Sequence, residues 1–208
     1  MFRERKFTLL AFAVMALTAC RNNAKTGANK SEYAGQSAPK SFSYINNVFK
    51  SKVLGWSINV PQGWLVTTPN ELDSTNEMVQ NDAFSIEQHL IMFQNGDMNV
   101  FQSSYEPVTI KSPEQWKEHC KGSDAILHST YTNQGIKLDT ASKEITVAGK
   151  PFHALEIQVY DPDGNPLLKQ YMYNTLIDSF DFGVNISAEN DAMKNIMMQA
   201  FEGSRFEK

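Results

Sequence analysis

Four histidines, two cysteines and one run of alternating oxygen donors hold most of the chemistry this 208-residue chain could perform. His89, His119, His128 and His153 include no pair three or four residues apart, the spacing that sets two ligands on one helical face. Spacing alone therefore offers no metal site. His153 alternates with Leu155, Ile157 and Val159, which places it at the end of a core-facing row where burial demands a hydrogen bond. His119 and Cys120 are adjacent, and on a helix adjacent side chains diverge by about 100°, poor geometry for a nucleophile and its base. Cys120 follows Trp116 by one helical turn, so it is expected on a buried face as an inert thiol.

Asp161, Asp163 and Asn165 stand at positions 1, 3 and 5 of a calcium-type loop. That loop also needs Gly at position 6 and Glu at 12, and here those are Pro166 and Met172. A Pro-Asp-Gly-Asn run between apolar segments is better explained as a hairpin turn. Ser37-Ala38-Pro39-Lys40 spells Ser-x-x-Lys but has no helix to hold it. Asp73-Ser74-Thr75 and Asp139-Thr140-Ala141 resemble short O-glycosylation patterns of Bacteroidetes secreted proteins, yet Asp-Ser/Thr also serves turns and caps. No catalytic residue, cofactor-binding residue or metal ligand is assigned, and the expectation is a protein that is not an enzyme.

The N-terminus supplies an address. Arg3, Arg5 and Lys6 precede an apolar run from Phe7 to Leu17, the length of a signal-peptide core and short of the roughly twenty residues a membrane span needs. The run ends in Leu17-Thr18-Ala19-Cys20, which resembles the bacterial lipobox. That resemblance implies cleavage after residue 19, lipid attachment at Cys20 and an acylated new N-terminus. Two or more chains anchor stably where one does not, at about 0.8 kcal/mol per buried methylene. The implied location is the cell envelope, tethered by lipid. Arg21-Asn22-Asn23-Ala24 lacks the acidic run that resembles a surface-export signal, and with Arg21 in second place it fits the outer membrane, facing the periplasm.

Loss of residues 1–19 would remove three basic residues and one acid from 19 Lys+Arg and 23 Asp+Glu, leaving 16 against 22, or −6. A mildly acidic chain gives no support for nucleic-acid binding or a polybasic membrane patch. With Cys20 committed to lipid, Cys120 has no partner for an intramolecular disulfide. Residues 20–42 are rich in Asn, Ala, Lys, Ser and Gly without an apolar period and are expected to be a flexible linker, with a reach of about 25 Å. Residues 43–208 then form one domain with a core of its own.

Within it, Leu54, Trp56, Ile58 and Val60 alternate with polar residues before Pro61-Gln62-Gly63 and Trp64-Leu65-Val66, the pattern of a strand, a turn and a short return. Asn95-Gly96-Asp97 between two apolar runs predicts a hairpin. Ala148-Gly149 and Asp161 to Pro166 predict two more, and Phe180, Phe182, Val184 and Ile186 alternate in a last strand. Such short connections make a mainly antiparallel sheet. Ser112-Pro113-Glu114-Gln115 opens a helix that runs toward Gly122, with a further helical segment over Ser123 to Tyr131. Met193, Ile196, Met197, Ala200 and Phe201 form one apolar stripe of a C-terminal helix. The fold class is thus α+β, with about six antiparallel strands packed against a middle helix and a C-terminal amphipathic helix.

Val60-Pro61-Gln62-Gly63-Trp64, the middle helix, the hairpins, and a Phe-rich strand leading to a helix that closes on Phe206 resemble the PsbP-like fold. Its superfamily includes a photosystem II extrinsic protein and a yeast Ran-binding protein. The resemblance implies a fold whose known members mostly bind partners and are not enzymes; no functional residue carries over from it. Two surfaces are expected to matter. Trp56, Trp64, Tyr160, Tyr171, Tyr173 and Phe180 could place an aromatic cluster on one sheet face, although such rows are more often core. Residues 69–82, carrying Glu71, Asp73, Glu77 and Asp82, form a long loop suited to contact. The expected role is a lipid-anchored, non-catalytic binding or accessory module for another protein or ligand. The alternative is a hydrolase or metal-dependent enzyme whose site forms only in the fold, around His89, His153 and scattered acids.

Overall fold

The computed structural model describes residues 42–69, 71–72 and 87–207. Cys20, the leader, the linker segment, Ser37 to Lys40, Ser74 and most of the 69–82 loop lie outside the described residues.

The centre is a seven-stranded sheet in the order β4-β5-β6-β10-β9-β8-β7, antiparallel at every pairing. Its strands are β4 (Leu65–Thr67), β5 (Gln88–Gln94), β6 (Val100–Pro107), β7 (Leu138–Val147), β8 (Lys150–Tyr160), β9 (Pro166–Ile177) and β10 (Phe180–Ala188). The turn chemistry expected from sequence is present. Ala148 and Gly149 link β7 to β8 with both residues at positive φ, the backbone that matches strand twist in a two-residue hairpin. In the next turn Asn165 N–H donates to Asp161 Oδ1 at 2.8 Å, and Gly164 N–H to the Asp161 carbonyl at 3.0 Å. The Asp161 carboxylate is thus spent on its own loop, as the turn explanation requires.

A second sheet was not foreseen. It is four-stranded and antiparallel, in the order β1-β2-β3-β11, from β1 (Phe42–Ile45), β2 (Val48–Ser51), β3 (Trp56–Asn59) and β11 (Arg205–Phe206). The strand–turn–return expected over 54–66 is therefore corrected. β3 stays in the small sheet, whereas β4 crosses to the edge of the large one and pairs with β5. Pro61-Gln62-Gly63 marks the crossing point between sheets, with Gly63 at φ +80°.

The small sheet and the C-terminal helix α2 (Asp191–Glu202) cover one face of the large sheet. Phe49, Trp56, Phe93, Phe101, Phe152, Phe182, Met197 and Phe201 are fully buried there, with ring pairs such as Phe93–Phe101 stacked at 4.3 Å. Tyr171 and Tyr173, each 4% exposed, belong to the same core. The expected aromatic surface is therefore core packing, which withdraws it as a contact face. Aromatic burial of this kind is the main source of stability in such a layer.

Helix α1 (Pro113–Asn133) lies on the opposite face. Ser112 caps it, with the Gln115 N–H donating to Ser112 Oγ at 3.3 Å. It runs unbroken through Gly122, where sequence suggested two segments. One internal glycine costs only about 1 kcal/mol against alanine, and tertiary contacts outweigh that.

Candidate functional site

The two faces of the large sheet differ in kind. The face under the small sheet is apolar, whereas the face under α1 is apolar only toward the β7–β8 end, where Leu127 and Tyr131 pack on Leu155, Ile157, Val159 and Leu168. Toward β6 and β10 the alternation brings Gln102, Ser104 and Glu106, then Asp181, Gly183 and Asn185, to the α1 side. One register row crosses the sheet as Glu144, His153, Asn174, Gly183, Ser104 and His89.

Side-chain pairs dock helix α1 on this polar surface, among them a bond from Ser142 Oγ on β7, which donates to Asp124 Oδ2 at 2.7 Å. His119 Nε2 lies 2.9 Å from Asp181 Oδ2. Asp124 holds His153, with Oδ2 at 3.0 Å from Nε2. The Tyr131 hydroxyl donates to Gln170 Oε1 at 2.5 Å, and Gln170 Nε2 in turn donates to Ser187 Oγ at 3.3 Å. Burial pushes the Tyr131 hydroxyl up to about 12, so it remains a donor throughout the physiological range. His153 is raised above its ordinary value, chiefly by the hydrogen bond to Asp124 against the opposing effect of burial. Glu144 Oε1 adds a second contact, 3.3 Å from the other ring nitrogen.

Between α1 and the polar end of the sheet lies a recess of about 80 Å³. Its walls include Gln102, Ser104, Asn174 and Asn185 from the strands and Asp124 and Ile126 from the helix. Gly183 leaves its floor open. A Cβ at that position would sit 3.3 Å from Asn174 Nδ2, and that amide is already committed to Asp181 Oδ1 at 2.8 Å. The carbonyl oxygen Oδ1 of Asn185 is buried and has no hydrogen-bond partner among the described residues. An acceptor left in that state costs about 1–3 kcal/mol.

His89 and His153 share a register row but are separated by four strand spacings, roughly 19 Å at 4.8 Å each, so the constellation proposed around them does not assemble. His89 instead contacts Gln102 Nε2 at 3.2 Å, and His128 is exposed on α1. Cys120 is buried, 4% exposed, in keeping with a core thiol. Thr140 is exposed on edge strand β7, and its neighbour Asp139 accepts the Tyr160 hydroxyl at 2.6 Å. Sequence reasoning missed the cluster of Glu106, His119 and Asp181, whose ligand atoms all lie within 4.8 Å of one another. Its members come from β6, α1 and β10. The one available signal was Glu106 and Asp181 as charged residues inside two alternating strand patterns.

No family model matches the chain, and no curated protein matches it. Among solved structures it is similar to cyanobacterial PsbP (CyanoP) from Synechocystis sp. PCC 6803, determined in solution. The two share 11% identity and a TM-score of 0.55, over 87% of this chain and 98% of that one. At that identity the likeness speaks to architecture alone: the chain has a PsbP-like α+β fold.

Proposed function

We propose that this is a lipid-anchored protein of the bacterial cell envelope, held by Cys20, whose PsbP-like domain is a non-catalytic accessory module that binds another envelope protein. The recess under α1 is the point of contact. The observation that carries this reading is the unpartnered Asn185 Oδ1 beside Gln102, Ser104 and Asn174, in a recess otherwise lined largely by apolar side chains such as Leu127 and Met172. Such a group is retained at a cost, and a partner that supplies a donor removes that cost. Size decides the kind of occupant. Sites for cofactors or drug-sized ligands run to roughly 300–1,000 Å³, whereas about 80 Å³ admits one inserted polar side chain.

The lipid address rests on the order of the basic segment, apolar run and Cys20. Cys20→Ala moves the protein from the membrane fraction to the soluble envelope fraction; retention in the membrane would contradict the anchor. Asn185→Leu removes the unpaired acceptor and closes the recess, so it abolishes capture of the envelope partner while the domain stays folded. Unchanged capture by that variant would remove the recess from the account.

A further inference from the structure

Glu106, His119 and Asp181 form a second feature of the α1 face, separate from the recess. Asp181 and Glu106 are register partners on β10 and β6, and His119 reaches down to them from α1. We propose that these three side chains form a binding site for one divalent transition-metal ion of the zinc type.

Four observations support this. The first is convergence: one nitrogen and two carboxylate oxygens from three elements lie within 4.8 Å of one another. His119 Nε2 and Asp181 Oδ2 are 2.9 Å apart. Two ligand atoms bound tetrahedrally to one ion at about 2.1 Å would be about 3.4 Å apart, so that edge opens by about 0.5 Å when the ion replaces the hydrogen bond. The second is charge. Two carboxylates and a neutral imidazole sum to −2, matched by a divalent cation, and the Asp181 side chain is only 1% exposed, so water screens that charge little.

The third is support from behind the ligands. Asn174 Nδ2 donates to Asp181 Oδ1 at 2.8 Å, leaving Oδ2 turned toward the cluster. Trp116 stacks on the His119 ring at 5.5 Å between centroids and 27° between planes. Outer contacts of this kind fix ligand orientation at metal sites. The fourth is access. The His119 side chain is 28% exposed and Glu106 is half-buried, so an ion can enter and keep water in its remaining positions.

The other histidine with two acids provides the contrast. At His153 the carboxylates of Asp124 and Glu144 sit on opposite ring nitrogens. They diverge, and one ion cannot take both together with the ring.

The test is calorimetric titration of the chelator-stripped full chain with Zn²⁺. One equivalent binds. Glu106→Gln and His119→Gln each weaken binding by about tenfold or more, the scale on which lost metal-site contacts act, while His153→Gln leaves it unchanged. Circular dichroism confirms that each variant is folded. Independently of any variant, Zn²⁺ shifts the His119 side-chain NMR resonances of the native chain and leaves those of His153 in place. Absence of binding, binding retained in both cluster variants, or a shift confined to His153 would each overturn the site.

Discussion

Replacing His153 with Gln tests whether α1 is held to the sheet by charge-assisted polar pairs. His153 is 13% exposed at its side chain and Asp124 is 22% exposed, so water screens their contact little. A hydrogen bond to a charged group contributes about 1.5–3 kcal/mol, against about 0.5–1.5 kcal/mol for a neutral one. Glu144 is 71% exposed and adds a few tenths of a kcal/mol at most. Because Asp124 raises His153 above its ordinary value, protonation favours the folded state. The charged contribution is therefore fully present below the unfolded-state value of about 6.5 and is lost as pH rises through the higher folded value. His153→Gln should cost about 2 kcal/mol at pH 5.5 and about 1 kcal/mol less than that at pH 8.5. Urea unfolding of both proteins across that range, followed by circular dichroism, gives the difference directly. A gap that is constant with pH, or that widens as pH rises, would refute the reasoning.

The backbone and the polar core yield further expectations. Gly55 sits at φ +61°, and a Cβ there would meet the Glu207 carbonyl oxygen at 1.9 Å, where the Glu207 N–H also donates to the Gly55 carbonyl at 2.6 Å. Gly55→Ala therefore adds left-handed strain, breaks that bond and lifts β11, for a loss of about 2–4 kcal/mol in urea unfolding. Tyr131→Phe leaves Gln170 Oε1 buried without its donor and costs about 1–3 kcal/mol with no dependence on pH between 5 and 9. Asn185→Leu, which removes an unpaired acceptor, leaves stability unchanged or raises it by about 1 kcal/mol; a loss of more than that in thermal unfolding would show that Asn185 is structural. Cys120 resists alkylation in the native state and reacts only on unfolding, as its burial requires.

The large sheet was legible in the sequence wherever a turn and an alternation coincided. Asn95-Gly96, Ala148-Gly149 and Asp161 to Pro166 each bound strands that pair as expected. Local pattern failed where pairing is set at long range. Trp56 to Asn59 and Leu65 to Thr67 look like two arms of a hairpin, yet each finds its partner in a different sheet. The β1–β2 hairpin carried a signal that could have been used: Asn46 and Asn47, both at positive φ, between Phe42–Ile45 and Val48–Ser51. Aromatic periodicity located Tyr171 and Tyr173 on a strand but could not say whether a layer covered them.

The site was less legible still, because its members are close only in the fold. His119 and Asp181 are 62 residues apart, and Asp124 and His153 are 29 apart. Spacing rules find ligands that share one helix, and here the pairs His119–Asp181 and Asp124–His153 bridge α1 and the sheet. The bend of polar residues onto the α1 side of β6 and β10 was visible as alternation, but not that a helix would cover it.

The central claim is that the recess under α1 is where this domain meets an envelope partner. Its most direct test is a photo-crosslinking side chain installed in the native envelope at Ile126, which is 37% exposed on the helical wall of the recess, beside one at Lys52, exposed on the small-sheet side. A discrete protein adduct from position 126, absent from 52 and lost with Asn185→Leu, is the predicted result. Adducts from 52 alone, or none from 126, would contradict it.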